Sequence, residues 1–453
     1  MKIVIVGNGK VGLAIAEQLA SEEHDIILMD NDMAHLQYAI DNLDVMCYCG
    51  NAADYEAMKE AGIEDADLLV AATSQDEINL LCCLLAKKLN VKHTIARIRK
   101  PEYVNLTQVL REDMGLSMTI NPEKATAVEI ERLLRYPGAI KVESFARGRV
   151  ELVEIKIRDY SPLVDKRLMD IPNLFKSKIL VCAVQRGDEV YIPSGSFVLK
   201  EGDRINFTAQ PHEINKFFSK IKVEQAKINN VMIVGGGKIS YYLANALSKG
   251  GVSVKVVEQN KDKCLSLNEM LPNISIVHGD GTDYNLLMEE GLRDTNGFVA
   301  LTGMDEINVI TSMYAQSLNV HKTVTKVNRI SYADILPRTG LETVVSPKEI
   351  TAHSIVQYVR AMQNSFGSSN IETMHKIVNG KVEALEFRIK KTASYVNVPF
   401  KDLRFKKNVL VASIVRKGKH ILPDGNEKMQ LNDRIIVVTT MKNVDDLQDL
   451  FEK

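Results

Sequence analysis

The fold of this chain is decided by the stretch Ile3-Val4-Ile5-Val6-Gly7-Asn8-Gly9-Lys10-Val11-Gly12. Its four consecutive β-branched residues predict a buried strand, and the amphipathic segment Val11–Ala20 predicts a helix directly behind it. The glycines follow the pattern GxGxxG, which between a strand and a helix is typical of a dinucleotide-binding loop. We therefore expect Gly7 to permit a tight turn, Gly9 to let the backbone approach a pyrophosphate, and Gly12 to let helix and strand pack closely.

An acidic residue follows at the spacing that such a loop requires. Asp30 ends the apolar segment Ile26–Asp30, eighteen residues after Gly12. A carboxylate there accepts ribose hydroxyls and repels a 2′-phosphate, so NAD or an adenosine nucleotide is favoured over NADP. The alternative is a glycine turn without a ligand. Because free N–H groups at a helix N-terminus bind phosphates, the other candidate binding residues of this loop are Asn8, Lys10 and Val11.

The chain is a tandem duplication. The segment Val231–Lys238 repeats the opening stretch 228 residues later, and Asp305–Asn308 repeats Asp76–Asn79 after 229 residues. Near the end of each half, Asp433–Ile435 repeats Asp203–Ile205 after 230 residues. Matches at nearly one offset indicate that each half contains the same two modules.

The second copy carries its own candidate nucleotide site. Its loop reads Gly235-Gly236-Gly237-Lys238-Ile239-Ser240, so that Ser240 stands where the third glycine is expected. Glu258 follows eighteen residues after Ser240, at the place that corresponds to Asp30. A second nucleotide site is expected here, and a degenerate copy is the alternative.

Further candidates stand where the predicted strands end, because doubly wound sheets bind ligands at that edge. Asn51 and Asp280 follow the third strand of each half, where an adenine-side contact and a plain turn are equally favoured. The fourth strands end at Thr73, Ser74 and Thr302, near the expected ribose and pyrophosphate.

A charged side chain interrupts the fifth strand of each half. Arg97 lies in Ile95–Arg99, and Lys326 lies at the corresponding place in Thr325–Asn328. Parallel strands are usually apolar on both faces, so these cations suggest contact with a phosphate. A salt bridge is the alternative for Arg97.

In each half, short apolar strands alternate with amphipathic segments, which predicts an α/β fold with a doubly wound, Rossmann-like parallel sheet. The predicted strands of the first half are Lys2–Val6, Ile26–Asp30, Val45–Cys49, Leu68–Thr73, Thr94–Ile98 and Ser117–Ile120. Those of the second half are Val231–Val234, Val254–Glu258, Ser275–His278, Phe298–Thr302, Thr323–Val327 and Thr343–Val345.

A small α+β module of mostly antiparallel strands is predicted after each parallel sheet. Its predicted strands in the first half are Val150–Ile157, Ile179–Gln185, Val190–Ile192 and Arg204–Phe207, followed by a short helix at Glu213–Phe218. Helices at Pro122–Tyr136 and Pro347–Met362 are expected to lead into these modules. The predicted domains are residues 1–138, 139–223, 228–364 and 365–453.

Composition excludes several classes of protein. The 57 basic and 58 acidic residues give a net charge of −1, which argues against a dedicated nucleic-acid binder. The apolar runs are far shorter than a bilayer helix requires, and no signal peptide is expected. The six cysteines form no CxxC pair and the histidines show no metal-ligand spacing, so a reduced cytosolic chain without a metal site is predicted.

Taken together, these features resemble the RCK, or KTN, family of cytosolic domains that regulate potassium conductance. The resemblance covers nearly the whole chain and rests on the glycine loop, Asp30 and the segments Gly50–Ala52, Ala71–Ser74, Asp76–Asn79 and Ala96–Arg99. It implies that the small modules are RCK C-terminal domains. Ser240 and Lys326 depart from the first half and leave the ligand of the second site open.

The resemblance also implies a function. A bound nucleotide, NAD or NADH with ATP or ADP as further candidates, would control a membrane partner, namely a TrkH-like potassium-translocating protein. The chain would form a homo-oligomer, a tetrameric ring, and would be cytoplasmic and peripheral on the inner face of the membrane through that partner. We expect a regulator without catalytic residues.

The alternative function is that of an NAD-dependent oxidoreductase. A dehydrogenase must present an acid or base next to the nicotinamide, and the small modules show no obvious constellation of His, Lys and Asp.

Overall fold

The computed structural model of the chain describes residues 1–22, 24–100, 102–103, 111, 113–146, 148–222, 227–329, 335–366, 371–378, 380–442, 444 and 446–452. Contacts between residues divide the chain into two compact units. One unit contains both parallel sheets (residues 1–131, 230–318 and 323–356), and the other contains both antiparallel sheets (residues 132–229, 319–322 and 357–453).

The first parallel sheet confirms the predicted doubly wound, Rossmann-like fold. Its six strands are β1 (Lys2–Val6), β2 (Asp25–Asp30), β3 (Met46–Cys49), β4 (Leu68–Ala71), β5 (His93–Arg97) and β6 (Met118–Ile120). Its helices are α1 (Lys10–Ala20), α2 (Met33–Asn42), α3 (Tyr55–Glu60), α4 (Asp76–Lys88) and α5 (Pro122–Arg135). The strand order is β3-β2-β1-β4-β5-β6. The loops after β1 and β4 therefore diverge and open a crevice between them.

Helices cover both faces of this sheet. Ile3, Val4, Ile5 and Val6 of β1 are at most 2% exposed, although they point alternately to opposite faces. Burying each such side chain contributes about 1.5–3 kcal/mol. β4 ends at Ala71, two residues earlier than predicted, because the Thr73 N–H turns away from the sheet towards the side chain of α4 residue Asn79.

A five-stranded antiparallel sheet follows. Its strands are β7 (Lys141–Phe145), β8 (Val150–Lys156), β9 (Leu180–Arg186), β10 (Glu189–Tyr191) and β11 (Arg204–Ala209), with helices α6 (Ile171–Phe175) and α7 (Pro211–Lys220). The strand order is β10-β9-β11-β8-β7. The predicted α+β module is confirmed. The edge strand β7 was not predicted from the sequence.

The second half repeats both layers in the same connectivity. The parallel strands are β12 (Asn230–Val234), β13 (Ser253–Glu258), β14 (Ser275–His278), β15 (Gly297–Ala300), β16 (Lys322–Lys326) and β17 (Val344–Val345). The helices are α8 (Lys238–Lys249), α9 (Lys261–Met270), α10 (Tyr284–Glu289), α11 (Asp305–Ser317) and α12 (Pro347–Phe366). The antiparallel strands are β18 (Ile371–Ile377), β19 (Val382–Arg388), β20 (Val409–Arg416), β21 (Lys419–Ile421) and β22 (Arg434–Thr439). The parallel sheet has the order β14-β13-β12-β15-β16-β17, and the antiparallel sheet has the order β18-β19-β22-β20-β21. In place of α7 stands a short 3-10 helix, Leu447–Leu450.

The two antiparallel sheets share a hydrophobic core. Phe145 and Leu152 of the first module pack in one cluster with Ile377, Val382 and Ala412 of the second. The two modules therefore stabilise each other.

Two general features of the chain complete the fold. No helix in the described ranges is both long and apolar enough to cross a bilayer. All six cysteines are unpaired, and burial raises the pKa of the Cys82 thiol to about 12, so this thiol stays protonated at neutral pH.

Candidate functional site

The first glycine loop connects β1 to α1 at the crevice of the sheet. Gly7 has φ +93°, and a Cβ there would lie 2.9 Å from the Cα of Thr73. A Cβ on Gly12 would lie 1.8 Å from the carbonyl oxygen of Gly7. Gly9, in contrast, has no atom within 4 Å of the corresponding position. The fold itself therefore requires Gly7 and Gly12, whereas Gly9 leaves open space next to the backbone.

The N-terminus of α1 faces this space without a side-chain cap. Gly9 is the N-cap residue and makes no capping hydrogen bond, and the first intrahelical bond is donated by Leu13. The N–H groups of Lys10, Val11 and Gly12 thus have no partner within the helix. They provide the positive end of the helix dipole, which is where anions bind.

Asp30 is buried at the end of β2, where the sequence places it, and it holds the glycine loop. Its carboxylate accepts a hydrogen bond from the Asn8 N–H at 2.6 Å and another from the Asp32 N–H at 3.0 Å. The Nδ1 atom of His35 lies 3.2 Å from the same carboxylate. A bound ribose would share this carboxylate with the loop, so Asp30 has a structural task that the spacing alone did not indicate.

A clamp on α4 fixes the other wall of the crevice. Asn79 is fully buried; its Oδ1 accepts from the Thr73 N–H at 2.9 Å, and its Nδ2 donates to the carbonyl oxygen of Arg97 at 2.8 Å. One turn earlier, the Asp76 carboxylate accepts from the Arg99 N–H at 2.8 Å. These two side chains were noticed in the sequence only as part of a repeat, because their partners lie on a strand distant in sequence.

Arg97 forms the salt bridge that was its alternative interpretation, and phosphate contact stays a prediction. Its guanidinium lies 3.7 Å from the Glu123 carboxylate and donates to the carbonyl oxygen of Thr73 at 3.4 Å. Burial lowers its pKa, while the Glu123 carboxylate acts in the opposite direction. The side chain also forms part of the crevice wall.

The crevice forms a cavity of about 600 Å³, the first cavity. Most of the first-half candidates line it, namely Gly7, Gly9, Lys10, Val11, Asp30, Asn51, Thr73, Ser74 and Arg97. Asn8 and Gly12 are absent from this wall: Asn8 is buried and bonded to the backbone of His35, and Gly12 lies beneath Gly7. Asn51 also accepts from the Ala53 N–H at 3.0 Å, so it forms the turn that was its alternative interpretation.

The second half completes the first cavity. Five of its residues contribute to the wall, namely Ile239, Lys326, Asn328, Pro347 and Lys348. Hydrogen bonds join the two parallel-sheet domains beside it. The hydroxyl of Tyr242 on α8 donates to the carbonyl oxygen of Arg99 at 3.1 Å, and Gln18 on α1 donates to Glu349 on α12 at 3.1 Å. Ile239 was a candidate for the second site, but the structure places it here.

A second cavity of about 440 Å³ lies at the matching place in the second half. The candidates that line it are Gly235, Gly236, Gly237, Glu258, Asp280, Thr302 and Lys326. Lys238 is not part of this wall. Lys326 lines both cavities. Asp280 accepts from the Thr282 N–H at 2.9 Å, so it too forms a turn.

The second loop is held in the same manner as the first. Glu258 accepts from the Gly236 N–H at 2.6 Å and from the Asn260 N–H at 2.8 Å. Asn308 repeats the clamp, bonding Thr302 and the carbonyl oxygen of Lys326. Ser240 is 1% exposed and donates to the carbonyl oxygen of Gly235, so its side chain is accommodated by a hydrogen bond within the loop.

Each cavity thus combines an uncapped helix N-terminus, a buried acid at a strand end and nearby cations, which suits a ligand with both hydroxyl and phosphate groups. Within the described ranges, no three His, Cys, Asp or Glu side chains are grouped closely enough to hold a metal ion.

Comparisons with known proteins agree with this duplicated arrangement. A family model described as the TrkA-N domain matches residues 3–122 and 231–347, and one described as the TrkA-C domain matches residues 152–222 and 384–452. Trk system potassium uptake protein TrkA homolog 2 of Methanosarcina mazei is 32% identical over 460 residues, covering 100% of both chains. The TrkA homolog of Archaeoglobus fulgidus is 31% identical over 451 residues, again covering 100% of both.

Solved structures share the fold. The GsuK channel has a TM-score of 0.65 at 16% identity, over 97% of this chain and 77% of that one. A structure of the GsuK channel bound to NAD has a TM-score of 0.63 at 15% identity, with the same coverage.

Proposed function

The chain belongs to the TrkA family of Trk system potassium uptake proteins, and we propose that it is a nucleotide-binding regulatory subunit of a potassium uptake system. The observation that carries the proposal is the pair of cavities, each bordered by a glycine loop and a buried acid. NAD or NADH is the first candidate ligand, and ATP and ADP are the others.

The proposed contacts follow from the chemistry of the walls. Phosphates bind the free N–H groups at the N-termini of α1 and α8, with Lys10, Arg97 and Lys326 as cationic partners. Ribose hydroxyls donate to the carboxylates of Asp30 and Glu258. The remaining sequence candidates apart from Lys238 line the walls or support the loops. The domain boundaries at residues 138, 223, 228 and 364 belong to the same proposal.

The output of such a subunit is the potassium flux through a partner. We propose that the partner is a TrkH-like membrane protein, that the chain acts as a homotetramer, and that it is a cytoplasmic protein attached to the membrane through that partner. A nucleotide can act on the partner only if it binds two conformations of this subunit unequally. A shift from 1:99 to 99:1 requires about 5.5 kcal/mol of differential affinity, which several sites in an oligomer can share.

Two measurements test the proposal. Calorimetric titration of the purified chain with NAD, NADH, ATP and ADP should give saturable binding. Potassium flux through a reconstituted TrkH-like partner should then change on addition of the nucleotide that binds. Titrations without binding heat, or a flux that ignores bound nucleotide, would contradict it. Nicotinamide turnover that survives extensive purification would favour the oxidoreductase instead.

A further inference from the structure

Lys326 is placed unlike any other candidate residue, because it lines both cavities. It is the last residue of β16, and its backbone is fixed by the Asn308 amide, which donates to its carbonyl oxygen at 3.0 Å. Its side chain is half-buried. Among the residues that the structure describes, its ammonium has no hydrogen-bond or ion-pair partner. A partly desolvated ammonium without a fixed partner is available to an anion.

The comparison with Arg97 explains why this ammonium is unpaired. Arg97 ends the equivalent strand of the first half and lies 3.7 Å from Glu123, the second residue of α5. The second residue of α12 is Lys348, so the second half has a cation where the first half has the pairing carboxylate. Burial lowers the pKa of Lys326, and nearby Lys10 acts in the same direction, whereas Asp305 and Glu123 oppose both.

The charges around the two cavities differ. Four cationic side chains (Lys10, Arg97, Lys326 and Lys348) and two carboxylates line the first cavity. Two cationic side chains, Lys263 and Lys326, and two carboxylates line the second. Lys326 is therefore one of only two described cations in the wall of the second cavity, and it is shared with the first.

We propose that Lys326 is a phosphate-binding residue shared by the two cavities, and that it makes binding of phosphate-bearing ligands in one cavity weaken binding in the other. The inference rests on the proposed nucleotide binding. An ammonium is a compact point charge on a flexible stem, so it can approach a phosphate in either cavity but cannot fully neutralise both at once. By thermodynamic linkage, the weakening is equal in the two directions.

The experiment is a variant cycle on the full-length chain, with ADP as the calorimetric probe. Asp30→Asn weakens ADP binding in the first cavity about ten- to hundredfold, so that ADP fills the second cavity while the first is still mostly empty. The ADP affinity of the second cavity in this variant is compared with that in the wild-type chain after its first cavity is filled. Coupling through Lys326 predicts second-cavity binding at least about fivefold tighter in the Asp30→Asn chain. In the Lys326→Gln background this difference should disappear.

Four further variants sharpen the result. Lys249→Gln removes an exposed lysine of α8 outside both cavities and should preserve the coupling. Lys326→Arg keeps the positive charge and should therefore also preserve the coupling. Lys348→Glu places a carboxylate at the position that corresponds to Glu123, the partner of Arg97. This carboxylate should pair with Lys326 and weaken the coupling between the cavities. Lys326→Met is a second uncharged variant in case Lys326→Gln loses its cooperative thermal transition.

The outcomes separate this inference from the proposed function. Two cavities that bind ADP independently in the wild-type chain would overturn the coupling and leave nucleotide binding intact. Coupling that persists in both uncharged Lys326 variants would also overturn it. A wild-type chain that binds no ADP would overturn the shared phosphate contact together with ADP as a ligand.

Discussion

At the scale of single residues, the first glycine loop offers a test that separates folding from binding. Gly12→Ala places a Cβ 1.8 Å from the Gly7 carbonyl oxygen, so the backbone must shift. We expect a loss of about 1–3 kcal/mol in the free energy of unfolding. Gly9→Ala meets open space at φ −75°, a conformation that alanine readily adopts. It should keep the stability but lower nucleotide affinity at least tenfold, because the Cβ occupies the approach to the backbone.

Urea denaturation and calorimetric titration of both variants distinguish the two effects. A Gly9→Ala chain that binds as tightly as the wild type would show that no ligand approaches this backbone. A Gly12→Ala chain of unchanged stability would show that the helix can move away from the strand at little cost.

The carboxylate of Asp30 is the second test at this scale. Asp30→Asn keeps an oxygen that can accept from the Asn8 N–H, so the loop should stay in place while the negative charge is lost. A hydrogen bond to a charged group contributes about 1.5–3 kcal/mol, so nucleotide affinity at the first cavity should fall about ten- to hundredfold. Glu258→Gln should act in the same way at the second cavity. The exposed Asp44→Asn is the control, and equal affinities in all of these chains would exclude a ribose contact.

The residues that sequence could and could not predict differ in where their partners lie. The glycine loops, Asp30 and Glu258 were predicted because their task depends on a local strand–turn–helix and a fixed spacing. The amide of Asn79 was missed because it joins the ends of two strands that only the folded sheet brings together. The place of Lys326 in the walls of both cavities was missed because sequence matching treats the two halves as separate copies.

At the scale of elements, α4 and α11 hold the loops of their sheets through Asn79 and Asn308. Asn79→Ala would leave the Thr73 N–H and the Arg97 carbonyl unpaired in a half-buried place, which costs up to about 1–3 kcal/mol. Asn308→Ala should cost a similar amount. Urea denaturation measures both, with the exposed Asn285→Ala as the control. Nucleotide affinity should fall with each variant because the strand-end loop loses its support, and unchanged urea midpoints would contradict the clamp.

The edges β7 and β18 carry an ion pair that makes the small modules sensitive to acid. Glu143 lies 2.8 Å from the Lys141 ammonium and 2.7 Å from Nδ1 of His375. Burial alone would raise its pKa, but Lys141 and His375 hold the pKa well below its usual range. A carboxyl with a depressed pKa adds stability above its unfolded-state pKa, and that stability is lost as the pH falls towards the folded-state value.

Glu143→Gln should therefore lower the urea midpoint at neutral pH, and its difference from the wild type should shrink between about pH 5 and pH 3. Glu201→Gln changes an exposed carboxyl and should show no such trend. A difference that stays constant over this range would mean that the charge of Glu143 does not contribute.

At the scale of the whole molecule, the two halves should present two classes of site. Four cations and two carboxylates border the first cavity, whereas two cations and two carboxylates border the second. We expect the preference for ATP over ADP to be several-fold greater in the first cavity, because the additional phosphate charge meets an excess of cations there. Titration of the Asp30→Asn chain reports mainly on the second cavity, and titration of the Glu258→Gln chain reports mainly on the first. Equal ratios of ATP affinity to ADP affinity in the two cavities would contradict this prediction.

The sequence predicted the order of the modules along the chain better than the contacts between the two small modules. Repeats, apolar strands and glycine loops are local signals, and they were sufficient for two parallel and two antiparallel sheets. The edge strand β7 was missed because its stability depends on pairing with β8 and on the core shared with the other module. Such contacts leave no periodicity of their own in the sequence.

Glu123 and Lys348 occupy equivalent places at the starts of α5 and α12 and bear opposite charges. If each half were a separate chain pairing with itself about a two-fold axis, any substitution at this place would appear twice. Covalent fusion removes that symmetry constraint, so one copy can retain a carboxylate while the other gains an ammonium. Under that symmetry, a dimer of the first half would carry Glu123 in both copies and Lys348 in neither. Such a dimer could reproduce neither cavity of the fused chain. The two halves of a duplicated gene can therefore acquire different residues at equivalent positions, whereas a single-copy gene cannot.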